Sequence, residues 1–243
     1  MNANIPMVKL NHKLLFVALL APMFVFGQIE EEDFEYSREF TWGVNKNTNS
    51  GLIGGLTLKW ARRMKESTYR TISFDILNVK HPKEQRYISQ STGTSFIFGK
   101  QNFLYTIRGQ YGVEKIMFKK APQQGVQINV MAAAGPSIGL EAPYYVLSGG
   151  NSEVYDPNRH TSPNAIQGSG KLLQGLGESS VVPGLNAKTS VIFEFGTFRK
   201  NVAGLELGLA AEVFTREIIL VPTQENRALY TSAFFTLFWG SRK

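Results

Sequence analysis

The sequence predicts an all-β chain: an antiparallel transmembrane β-barrel of eight strands, with an export leader before it and one long extracellular loop. Three observations carry that expectation. The N-terminus has the layout of a secretory leader, the body alternates apolar and polar residues with period two, and an aromatic-rich strand ends four residues before the chain does.

At the N-terminus, Lys9, His12 and Lys13 precede an apolar run over 14–26 that ends at Val25-Phe26-Gly27. A basic n-region, a short apolar core and a small closing residue predict a signal peptide over 1–27, with Gln28 opening the mature domain, 28–243. The alternative, an N-terminal membrane anchor, needs ~20 apolar residues and the run is shorter. The chain has no cysteine, which excludes a lipidated cysteine, disulfides and thiolate metal sites. Loss of Lys9 and Lys13 with the leader lowers the formal charge from +7 to +5, spread along the chain, and nucleic acid is not an expected partner.

After residue 27 no apolar stretch approaches ~20 residues, so only a barrel could cross a bilayer. The clearest alternation lies within 203–214: Ala203, Leu205, Leu207, Leu209, Ala211 and Val213 share one face, Gly204, Glu206, Gly208, Ala210 and Glu212 the other. Val191, Phe193 and Phe195 likewise oppose Lys188, Ser190 and Glu194; Ile72, Phe74 and Ile76 oppose Thr71, Ser73 and Asp75; Leu56, Leu58 and Trp60 oppose Thr57 and Lys59; Phe103, Tyr105 and Ile107 oppose Thr106, Arg108 and Gln110. Strands are expected near 36–45, 51–62, 69–78, 103–118, 126–141, 187–199, 203–216 and 228–240. With both termini periplasmic, the connections at 63–68, 119–125 and 200–202 fall inside and are short. Those at 79–102, 142–186 and 217–227 fall outside and are longer, as barrels require, and 46–50 is the one short external turn. Ser95 to Gly99 could add a strand but is placed in the second external loop, and use of 142–147 gives a ten-stranded fallback. In the last strand Leu229, Thr231, Ala233, Phe235, Leu237 and Trp239 form an outward face resembling the terminal signal of outer-membrane barrels. A buried strand of a soluble sandwich is the alternative, which Tyr230, Phe234 and Phe238 on the other face keep open.

The expected inward ionisable residues are Lys59, Asp75, Arg108, Lys188, Glu194, Glu206 and Glu212. An eight-stranded barrel is just wide enough for side chains to fill, and buried charges must pair, so these are read as a structural lumen network rather than a proton or ion path. No catalytic residue, metal site or cofactor is expected. His81 and His160 lie in different loops, and Glu153 and Asp156 near His160 read as turn-capping residues. A Gly-x-Ser-x-Gly elbow is absent, and Gly168-Ser169-Gly170-Lys171 lacks the spacing and context of a phosphate loop.

Loop 142–186 is far longer than joining two neighbouring strands requires, and its apolar and aromatic content argues against disorder. Tyr144, Tyr145 and Tyr155 are candidate partner contacts, the alternative being rings that pack the loop onto the barrel mouth. Gly99-Lys100-Gln101-Asn102 leading into Arg108-Gly109-Gln110-Tyr111-Gly112, then Ala142-Pro143-Tyr144-Tyr145, Tyr155-Asp156-Pro157 with His160, and Val182-Pro183-Gly184-Leu185 before Phe193-Glu194-Phe195 resemble a family of small outer-membrane barrels of Bacteroidota, over roughly residues 70–240. The resemblance implies a barrel in contact with outer-membrane lipid and, by analogy of setting, with other outer-membrane proteins in secretion, assembly or uptake machinery. The expected role is therefore a structural or interaction subunit. A lipid-modifying barrel enzyme and a narrow pore or small-ligand binder are the alternatives.

Overall fold

The computed structural model describes residues 36–50, 54–119, 125–171, 173–195 and 200–243; the expected leader and its cleavage point lie outside them. The described chain forms thirteen strands: β1 (Arg38–Asn47), β2 (Gly55–Lys65), β3 (Thr68–Val79), β4 (Gln85–Ile88), β5 (Ser95–Phe98), β6 (Asn102–Phe118), β7 (Gln127–Pro143), β8 (Tyr145–Ser148), β9 (Asn151–Val154), β10 (Gly168–Ser169), β11 (Ser180–Phe195), β12 (Asn201–Ile218) and β13 (Arg227–Arg242). Eight of them close a barrel in the order β1-β13-β12-β11-β7-β6-β3-β2, each neighbour antiparallel.

Period two decides which side of the wall each residue takes. On β12, Leu209 is 62 % exposed on the outer surface while Glu212 is 1 % exposed inside. The same inversion, apolar out and polar in, holds on β2, β3 and β6: Leu56, Trp60, Ile72, Phe74, Ile76, Tyr111 and Val113 are exposed, while Thr57, Lys59, Thr71, Ser73, Asp75, Arg108 and Gln110 are buried. On β13, Phe235, Leu237 and Trp239 face out and Phe234 and Phe238 face in.

The start of β1 and the end of β13 lie at one rim, the short rim, where β2 also turns into β3 through 66–67, β6 ends, β7 begins, β11 ends and β12 begins. The turn between β2 and β3 is tight, with Ser67 at φ 56°. The long rim carries 48–54, 80–101, 144–179 and 219–226. The seam closes by nine register pairs from Glu39↔Arg242 to Asn47↔Phe234, and the Lys243 carbonyl accepts the Ser37 and Arg38 backbone N–H groups.

Three sequence expectations shift. Ser95–Phe98 is a strand, but it pairs with β4 in a two-stranded hairpin outside the barrel, so the barrel keeps eight strands. Tyr145–Ser148, within the segment that would have made a ninth or tenth barrel strand, instead centres a small sheet β10-β8-β9. The long connection is 144–179 rather than 142–186, because β11 begins at Ser180. Pro183 and Gly184, which the sequence reading leaves in the long loop, pair with Ile138 and Ser137 in the wall.

Pro136 interrupts the wall in a way the lumen repairs. Proline has no N–H to donate, and the β6–β7 ladder skips between Arg108↔Ser137 and Tyr111↔Ala134. The strands approach closely there: a Cβ on Gly135 would lie 2.1 Å from the Gly109 carbonyl oxygen. Asn186 Nδ2 points across from β11 and donates to the Gly135 and Pro136 carbonyls and to Ser137 Oγ, each at 3.0 Å.

Candidate functional site

The lumen is filled in layers. Next to the short rim, Tyr36 stacks on Tyr69 at 4.4 Å between ring centroids, with Ala61 and Ile116 packed around them. Next to the long rim, Val79, Leu104, Val182, Phe214, Ile218, Leu220 and Val221 form an apolar plug. Loop 219–226 feeds this plug because Asn226 ties it: its Oδ1 accepts from Leu220 and Val221 N–H and its Nδ2 donates to the Val221 and Gln224 carbonyls. Glu141 pins the same loop to the wall, accepting from Ile219 N–H, Asn102 Nδ2 and Arg216 Nη2.

Between the two apolar layers, six carboxylates (Glu39, Asp75, Glu114, Glu194, Glu206, Glu212) meet four cations (Lys59, Arg108, Lys188, Arg242), all pointing inward. The seven ionisable residues read from the sequence all lie here. The structure divides them into three groups. Arg108 Nη2 lies 2.7 Å from Glu212 Oε2 as a separate pair. Lys188 Nζ sits 3.9 Å from Asp75 Oδ2 and 3.6 Å from Glu206 Oε1, with Ser190 Oγ donating to Glu206 at 2.8 Å. Lys59 and Glu194 belong to a larger cluster near the short rim that includes Glu39, Glu114, Asn129 and Arg242, which the strand patterns did not single out as ionic. Lys59 Nζ reaches Glu114 Oε2 at 2.7 Å. Asn129 Nδ2 bridges Glu114 Oε1 at 2.6 Å and Glu194 Oε1 at 2.8 Å. Arg242 donates to Glu39 Oε2 at 2.6 Å and to Glu194.

Arg242 thus ties the last strand to β1 and β11 across the seam. It was missed because the final strand was read to end at 240, two residues early. The alternation that the sequence shows on β6 through Gln110 continues two steps further and places Glu114 inside. Two inward aromatics lie over cations of this network, with Lys59 Nζ 5.7 Å from the Phe238 centroid and Lys188 Nζ 5.8 Å from that of Phe234.

The cap on the long rim has a core of its own: Phe96, Tyr144, Val146, Tyr155 and Ile166. This corrects the expectation for two of the three loop tyrosines. Tyr144 and Tyr155 are buried, Tyr144 OH accepting the Ile97 N–H at 3.0 Å and Tyr155 stacking on His160 at 5.3 Å. Burial pushes both phenols above their ordinary range. They hold β8 and the β4–β5 hairpin together, and only Tyr145 stays half-exposed, its OH donating to Glu178 at 2.8 Å. Under the cap, buried Lys100 pairs with Glu84 at 2.6 Å and lies 4.3 Å from the Phe103 centroid; burial lowers its pKa, against the pull of Glu84.

Glu153 and His160 do come together, Oε1 to Nε2 at 3.0 Å, but Asp156 Oδ1 is spent accepting the Asn158 N–H. His81 caps a turn near the Glu225 carbonyl. Among the described residues no group of three or more metal-capable side chains forms.

The fold and the lumen define a small closed antiparallel barrel whose interior holds a network of buried ion pairs. Among solved structures the chain is similar to Neisserial surface protein A (NspA), at 12 % identity over 84 % of this chain and 94 % of that one, TM-score 0.35. It is also similar to Ail, the attachment invasion locus protein of Yersinia pestis solved with the heparin analogue sucrose octasulfate, at 11 % identity over 85 % and 97 %, TM-score 0.36. Neither carries a residue's role over to this chain. No protein-family model and no curated protein matches it.

Proposed function

We propose that this chain is a bacterial outer-membrane barrel of the Bacteroidota type its motifs resemble. In this reading it is exported through a leader cleaved before Gln28 and works as a structural and interaction subunit of an outer-membrane complex rather than as an enzyme. The inverted polarity of a closed wall supports the membrane part: no strand edge is left open, and aliphatic and aromatic side chains cover the outside. The paired, filled lumen favours a strut over a pore.

The observation that carries the interaction role is the apolar side of the cap. Leu173 is 54 % exposed and holds a left-handed backbone, φ 62°, which an aliphatic L-residue adopts only at a cost. Leu176 belongs to the same 173–179 stretch, half-exposed Tyr145 is tied to it through Glu178, and exposed Val181 follows on the outward face of β11. None of these residues is needed to fill the cap core, so they are surface kept apolar for contact with another outer-membrane protein. The test is affinity purification of the tagged barrel from its native membrane, beside a Leu173→Asp/Leu176→Asp variant. The variant is expected to fold and to lose a stoichiometric partner. Identical partner sets for both would remove the cap from the account. Sequencing the N-terminus of the same material should read from Gln28.

A further inference from the structure

Directly below the outward aromatic row near the short rim lies a row of a different kind. Arg38 on β1, Arg62 on β2 and Arg70 on β3 all point outward and are exposed. Register places Arg38 opposite Arg62, and Arg62 opposite Arg70. Side chains directly opposite on neighbouring strands start about 5 Å apart, and like charges there repel. Among the described residues none of the three forms an ion pair; Arg70 has only the Tyr111 ring, 5.9 Å from its guanidinium carbon. Three adjacent guanidiniums with no ion pair among the described residues leave a concentrated positive strip on the wall.

What lies immediately above the strip sets the occupant. One row up are Phe40, Trp60 and Ile72, with Phe40 opposite Trp60 and Trp60 opposite Ile72, the two rings packed at 5.1 Å. An apolar wall ending in a row of fork-shaped cations matches an amphiphile with hydrocarbon on one side and an anionic group at its end. Guanidiniums take phosphate oxygens two at a time, and a phosphodiester between neighbouring arginines removes their mutual repulsion. We propose that Arg38, Arg62 and Arg70 form a binding site for the phosphate headgroup of an anionic phospholipid in the bilayer leaflet at the short rim, its acyl chain lying on Trp60 and Ile72. The site rests on the membrane-spanning reading above.

The indoles make the site measurable, since Trp60 sits in it. The full barrel is reconstituted into phosphatidylcholine vesicles containing a minor fraction of either brominated phosphatidylglycerol or brominated phosphatidylcholine, and tryptophan quenching is compared at equal bromine content. The wild type should show about five-fold local enrichment of the anionic lipid, the factor that one cation near an anionic surface supplies. The Arg38→Gln/Arg62→Gln/Arg70→Gln variant should quench equally with both lipids while still quenching. Because none of the three forms an ion pair among the described residues, the variant is expected to fold, and the single Arg62→Gln change, at the centre of the row, should show an intermediate preference. Equal quenching of the wild type by the two lipids, or an unchanged preference in the triple variant, would overturn the proposal. So would displacement of the lipid by inorganic phosphate at matched ionic strength, which would mark a soluble-anion site, or an acidic polypeptide retained by the row in place of lipid. Quenching by neither lipid would sink the membrane reading itself, and the site with it.

Discussion

The Arg108–Glu212 pair offers a clean energetic test because it stands apart from the rest of the lumen. Both side chains are buried, and the single contact is Nη2 to Oε2 at 2.7 Å. Arg108 Nε and Glu212 Oε1 have no hydrogen-bond partner, and among the described residues neither side chain has a second ion pair. At 2.7 Å and an effective dielectric constant of ~20 the Coulomb attraction is about 6 kcal/mol, set against several kcal/mol of desolvation for each ion. The intact pair is therefore worth little, while breaking it leaves a buried charge alone. Arg108→Met or Glu212→Leu should each destabilise the barrel by ~3–5 kcal/mol, and Arg108→Met/Glu212→Leu should recover most of that loss. Equilibrium unfolding in urea from lipid vesicles, followed by tryptophan emission, gives all four corners of the cycle. A double variant whose loss equals the sum of the two single losses would refute the reasoning, since the residues would then act through unrelated contacts.

Two further expectations use the same unfolding assay. Leu207 faces outward near the middle of β12, so Leu207→Arg should cost ~2–4 kcal/mol, as charge costs at the bilayer midplane, and its neighbour Glu206→Gln should cost less because Ser190 Oγ still has an acceptor. Greater damage from Glu206→Gln would mean that the two faces of the wall are exchanged. Asn186→Ala should cost about 1–3 kcal/mol by leaving the carbonyls beside Pro136 without a donor; a change within the noise would show that the ladder gap needs no repair.

Much of the barrel was legible because period two is a strong signal when one side must be apolar throughout. Leu205, Leu207 and Leu209 against Glu206 and Glu212 fix both the strand and its facing without any knowledge of neighbours. Strand ends were less legible because the pattern fails where the wall leaves the apolar zone. Arg242 follows Gly240 and Ser241, and nothing local shows that it points inward to Glu39 and Glu194. β11 hid its first turns behind Pro183 and Gly184, residues that normally stop strands but are carried here by a wall whose irregularity Asn186 repairs. The cap was the least legible part. Tyr144 and Tyr155 carry the same side chain as Tyr145, and only the non-local packing of Phe96 and Ile166 against them makes two of the three interior.

The central claim is that the wall spans the outer membrane with the cap outside and the short rim in the periplasm. The natural chain has no cysteine, so single cysteines report without background. Asn158→Cys on the cap, Glu66→Cys on the short rim and Leu209→Cys on the outward band should be treated in whole cells with a membrane-impermeant maleimide. Asn158→Cys should label in intact cells, Glu66→Cys only after the outer membrane is permeabilised, and Leu209→Cys only with a lipid-soluble reagent. Equal labelling of all three by the impermeant reagent, with the protein recovered in the soluble periplasm, would contradict the account.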